Sequence, residues 1–98
     1  MFVITLHYVA PLDHLDDQMG EHMKFLQKNY RANIFLTSGR QVPRTGGIIL
    51  ARARSKEELV AIMKEDPFCR LGLAEFTVTE FLNSQMHPAF KEMMKEFE

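Results

Sequence analysis

The chain has 98 residues, 46% hydrophobic, 26% charged and 10% aromatic, which predicts one soluble domain over residues 1–98 with a single core. Twelve basic against 13 acidic residues leave a formal charge of −1, which removes the electrostatic footprint of a nucleic-acid or anionic-membrane binder. The lone cysteine, Cys69, excludes an intrachain disulfide and points to a reducing compartment, the cytoplasm.

No apolar run nears the roughly 20 residues that span a bilayer. The N-terminus lacks a basic region and a small-residue cleavage site, so no signal peptide is expected. Phe2 to Val9 alternate around β-branched and aromatic types and predict a first strand. From Asp13 to Ala32, Leu15, Met19, Met23, Leu26 and Tyr30 recur every three or four residues, the stripe of an amphipathic helix. Asp13 is its expected N-cap, with Asp16 and Asp17 favouring the helix dipole; Gly20 weakens its middle. Ile34–Ser38 reads as a second strand and Gly46–Ala53 as a third, joined by the turn-rich loop Gly39–Thr45. Ser55 followed by Glu58 is a capping box opening a helix that runs to Glu65, where Asp66-Pro67 ends it. Leu73–Leu82 reads as a fourth strand. After Pro88, the residues Phe90, Met93, Met94 and Phe97 predict a C-terminal helix.

The order βαββαβ predicts an α+β fold, a ferredoxin-like antiparallel sheet with its helices on one face. The first and third strands are apolar on both parities: Val3, Thr5 and Val9 alternate with Phe2, Ile4 and Leu6, and Ile48 and Leu50 with Ile49 and Ala51. A second copy of the chain is therefore expected against the open face, giving a homodimer. The C-terminal helix would cover part of that face in the same chain or on the partner.

His22 sits on or beside the buried stripe. It is either a core histidine bonded to a backbone carbonyl or an acid–base group tuned by a carboxylate. Asp66 is either a helix stop or the group that orients such an imidazole. The loop from Ser38 and Gly39 through Arg40 to Arg44, Thr45 and Gly47 offers guanidinium groups, hydroxyls and close backbone approach to a small anion, or it is a solvated turn. It has neither of the phosphate-loop patterns. His7, His14, His22 and His87 lack metal-ligand spacing, so no metal and no cofactor are expected. Cys69 lies beside Arg70, but a single cysteine reads as a small hydrophobe. The third strand, Gly46-Gly47-Ile48-Ile49-Leu50-Ala51-Arg52-Ala53, lacks the aromatic signature of RNA-recognition modules, which share this element order.

Together these residues resemble the YCII-related family. The matching features are Glu21-His22 with Phe25-Leu26, Ser38-Gly39, Pro43-Arg44-Thr45-Gly46-Gly47, Asp66-Pro67-Phe68 and Gly72-Leu73-Ala74-Glu75. They cover residues 1–82 and leave 83–98 as a helical extension. The resemblance implies a dimeric α+β barrel, a pocket near the sheet interface, and a histidine–aspartate pair that carries over to His22 and Asp66. It places Ser38, Gly39 and Arg44 at substrate-binding positions. Arg40 departs from the pattern, since many relatives have proline there. Related enzymes remove hydrogen halide from chlorinated hydroxyquinols, and more distant barrels isomerise muconolactones. The expected function is a cofactor-free lyase or isomerase acting on a small anionic substrate; the alternative is a non-catalytic small-molecule binder or structural dimer module.

Overall fold

The computed structural model describes residues 1–97. Strand β1 (Phe2–Tyr8) lies inside the sheet, paired antiparallel with β3 (Gly46–Ala51) on one side and β4 (Ala74–Glu80) on the other. Strand β2 (Phe35–Arg40) adds outside β3, giving the order β2-β3-β1-β4. Because side chains alternate across a sheet, Phe2, Ile4 and Leu6 share one face with Ile49 and Ala51 of β3 and Val78 of β4. That face is buried beneath Leu15, Phe25, Leu26, Leu59, Met63 and Phe68 of the helices. This is the ferredoxin-like α+β fold that the element order predicts.

The long first helix is in fact two. Helix α1 (Leu12–Asp17) and helix α2 (Met19–Arg31) meet at Gln18, whose φ of −102° and ψ of 4° leave the helical region. The break falls two residues before Gly20, the weak point expected from composition. Asp13 is not a cap: Pro11 holds that position, and Asp13 lies in the first turn. Helix α3 (Lys56–Met63) starts as predicted, with Ser55 Oγ accepting from the Glu58 amide at 3.2 Å. The Glu58 carboxylate accepts from the Arg54 amide rather than from that of Ser55.

Helix α3 ends at Met63, two residues short of the expected Glu65, and a turn through Lys64 and Glu65 leads to Asp66-Pro67, which starts a short helix α4 (Pro67–Arg70) that the sequence reading missed. Asp66 caps it, and Pro67 fills a first-turn position where no amide hydrogen is needed. Gly72, at φ 72°, turns the chain from α4 into β4 in a conformation that suits glycine. Helix α5 (Pro88–Met94) follows, continued by a 3₁₀ turn to Phe97. No residue of α5 is buried, and the segment is tied to the sheet through Arg52, which bonds the Phe97 carbonyl and lies over its ring.

The first, third and last strands are shorter than expected, and β2 runs two residues further, to Arg40. Phe35 pairs with Ala51 but Thr37 with Leu50, so Leu36 is an extra residue, a β-bulge. Without it Phe35 and Ser38, three residues apart, would face opposite ways. With it, Phe35 enters the core while Ser38 and Arg40, paired with Ile49 and Gly47, lie on the same helix-covered face. Gly46 is required by close packing, since a Cβ there would lie 1.8 Å from the Leu6 carbonyl oxygen. The other face of the sheet carries Val3, Thr5, Ile48, Leu50, Thr77 and Thr79, and the C-terminal segment meets it at one edge, against Met1 and Arg52. Among the described residues no helix is long and apolar enough to cross a membrane.

Candidate active site

Between α2 and strands β1, β3 and β2 the core stops short and leaves a cleft of about 530 Å³. Leu6 and Ile49 form its floor, Met19, Met23 and Leu26 its helical wall, and Tyr8 and Arg40 stand at the ends of their strands. Met23, expected in the core stripe, is 45% exposed because it borders this opening.

His22 lies on that wall, 8% exposed. Its ring is stacked on Phe68, with centroids 4.0 Å apart and planes within 6°, and Phe25 flanks it at 6.4 Å. Its Nδ1 lies 2.8 Å from Asp66 Oδ1. A carboxylate has no hydrogen to give, so Nδ1–H donates and fixes the tautomer. Nε2 has no protein partner, yet the one buried polar side-chain atom left without a partner among the described residues is Arg44 Nε. Nε2 therefore meets the open space of the cleft.

Asp66 is fully buried, and its Oδ1 also accepts from the Phe68 amide at 3.1 Å. The capping bond that starts α4 thus fixes the carboxylate that holds His22, and Phe68 on the same turn fixes the ring plane. Cys69 Sγ lies 3.9 Å from Asp66 Oδ2. Burial, and then the neighbouring Asp66 charge, push its thiol up to about 12, so Cys69 stays a neutral thiol at physiological pH and is no nucleophile.

Ser38 lines the cleft with its hydroxyl in hydrogen-bond contact with that of Tyr30. Tyr30 was legible only as one more residue of the helical stripe, since spacing says nothing of its hydroxyl. Gly39 borders the cleft with its backbone alone, and a Cβ there would stand in open space. Arg44 does not line the cleft. Its guanidinium donates to Asp16 Oδ1 and lies beside the Tyr8 hydroxyl; the bond to Asp16 raises its pKa, so it is always cationic. The arginine on the cleft wall is Arg40, which is exposed. Among the described residues no group of three or more histidines, cysteines or carboxylates is placed to hold a metal ion.

A ferredoxin-like domain whose helix-covered face opens into a cleft walled by a histidine, held from behind by a buried carboxylate, is the class of protein that this fold and site define. The chain belongs to the YCII-related domain family, whose model matches residues 1–82; helix α5 lies beyond the match. Among solved structures it is similar to 5-chloro-2-hydroxyhydroquinone dehydrochlorinase from Burkholderia phenoliruptrix, in complex with 2,5-dihydroxybenzoquinone. The identity is 19%, 84% of this chain and 94% of that chain are covered, and the TM-score is 0.70. No curated protein matches the chain.

Proposed function

We propose that the cleft is the active site of a cofactor-free enzyme of the lyase or isomerase kind, in which His22 moves a proton on a small anionic substrate. The observation that carries this reading is the bond from His22 Nδ1 to the buried Asp66 carboxylate, which leaves Nε2 unpartnered at the cleft. In an elimination, Nε2 takes a proton from carbon, the C–H electron pair becomes the new double bond, and the leaving group departs with its own bonding pair. In an isomerisation the same proton returns to a different atom. Asp66 holds the tautomer and stabilises the imidazolium that forms. Ser38 and Arg40, with the Gly39 backbone beside them, face a substrate anion across the cleft; Arg44 acts at one remove, through Tyr8. A homodimer through the open sheet face belongs to the same reading.

The family and the dehydrochlorinase fold support small-molecule chemistry here, and the largely apolar cleft suits a planar ring. The test is a screen of halogenated hydroxyquinols, enol acids and lactones for halide release or absorbance change. A positioned proton-transfer group contributes about 10²–10⁴-fold, so His22→Gln should lower turnover by that factor and leave the fold intact. Turnover unchanged by His22→Gln would sink the proposal. Binding without turnover across the screen would favour a non-catalytic binding module.

A further inference from the structure

Resting on that reading of the cleft, we propose that Tyr30, braced by Ser38, is the donor that holds the substrate's negatively charged oxygen opposite His22. His22, Leu26 and Tyr30 follow at intervals of four on one face of α2, and all three line the cleft. The two ends of that row are about 12 Å apart along the axis, and helical side chains lean towards the N-terminus. Both side chains share that lean, and Tyr30, the longer of the two, reaches further back along the cleft wall that Leu26 continues between them. Ser38 meets it from β2, on the face where the bulge at Leu36 places it.

Two hydroxyls in contact share one hydrogen bond and keep one proton to spare. The phenol is the more acidic of the two, so the favourable arrangement has Ser38 donating to Tyr30 Oη and Tyr30 donating into the cleft. A bond accepted by Oη polarises the O–H it carries and strengthens the bond that it gives. The surroundings are Leu6, Leu26 and Ile49, where a bond to an anion is worth more than in water. The ligand chemistry that this arrangement fits is an enolate or phenolate: a flat ring or enediol with its oxyanion at Tyr30 and its reacting atom at His22 Nε2. Arg40 adds a positive charge at the mouth.

The test uses 2,5-dihydroxybenzoquinone, a vinylogous acid whose oxygens carry negative charge at neutral pH, with neutral 1,4-dimethoxybenzene as control. Binding of both is measured for the wild type, Tyr30→Phe, Ser38→Ala and His22→Gln, and the absorption spectrum of the bound quinone is recorded. Phenylalanine keeps the ring against Phe35, where the tyrosine packs edge-on at 6.3 Å, so Tyr30→Phe should fold, with a melting midpoint lowered by no more than the lost bond to Ser38. The expected result is quinone binding weakened about 10–100-fold in Tyr30→Phe and less in Ser38→Ala. The control should bind unchanged, and the bound quinone's absorption maximum should move in Tyr30→Phe. Wild-type affinity and spectrum in Tyr30→Phe, with binding lost in His22→Gln, would overturn the role of Tyr30 while leaving the cleft reading intact. Quinone that fails to bind the wild type, or binds all variants alike, would overturn both.

Discussion

Replacing Asp66 by asparagine and by alanine separates what its oxygen does for the fold from what its charge does for His22. Asp66 Oδ1 accepts both from His22 Nδ1 at 2.8 Å and from the Phe68 amide at 3.1 Å. Asparagine can keep an oxygen at that place and so keep both bonds, with its amide nitrogen towards the Cys69 sulfur. The loss is then the charge-assisted part of the bonds, about 1 kcal/mol. Alanine strands two donors, each costing about 1–3 kcal/mol when buried and unpaired, and leaves α4 uncapped. The imidazole can shift its hydrogen to Nε2 and reach the cleft, which lightens its share, so the sum is about 2–5 kcal/mol. For a chain of this size 1 kcal/mol moves the melting midpoint by about 4–8 °C, so urea and thermal unfolding resolve the two variants readily. If catalysis needs the charge, Asp66→Asn should still lose most turnover despite its near-normal stability. Equal destabilisation in the two variants would refute the claim that one buried oxygen serves both donors.

Further expectations concern the sheet and its surroundings. Gly46→Ala forces a Cβ to within 1.8 Å of the Leu6 carbonyl oxygen unless the backbone moves; a loss above about 3 kcal/mol is expected, and wild-type stability would contradict the close packing of β1 on β3. Cys69 should alkylate slowly with iodoacetamide at pH 8, since burial and the Asp66 charge hold its thiol up near 12, and faster in Asp66→Asn. A rate equal to that of a free thiol would contradict this. Ile48→Lys with Leu50→Glu places two charges on the open sheet face, where Ile48 is 37% exposed. Sedimentation should show the wild type as a dimer and the variant as a monomer, while a monomeric wild type would contradict a partner on this face.

Much of the fold was legible because hydrophobic period and breaker residues dominate its elements. The parity of β1 placed Phe2, Ile4 and Leu6 together, and Ser55 with Glu58 marked the start of α3. The break at Gln18 was only half legible: Gly20 marked a weak middle, but the break falls two residues earlier, where the apolar spacing runs through unbroken. Helix α4 was missed although its signal was present: Asp-Pro reads equally as the end of one helix and as the cap and first turn of the next. The bulge at Leu36 is set by pairing with β3 rather than by composition, so the face shared by Phe35 and Ser38 could not be counted from spacing. The same limit hides which arginine meets the cleft. Arg40 and Arg44 look alike in a loop, and only three-dimensional placement gives Arg44 to Asp16 and Arg40 to the cleft. His22 and Asp66 were each legible as candidates, but 44 residues of chain separate them, and only the placement of α4 against α2 brings them within 2.8 Å.

The central claim is that Asp66 holds the His22 ring so that Nε2 serves a ligand in the cleft. Nitrogen-15 NMR of the histidine rings tests it directly, recorded on the neutral imidazole with and without 2,5-dihydroxybenzoquinone. The account predicts that His22 is protonated at Nδ1 and bare at Nε2, that the quinone shifts Nε2 far more than Nδ1, and that His14 and His87 do not respond. A His22 protonated at Nε2, or a quinone that binds without moving the His22 resonances, would contradict it.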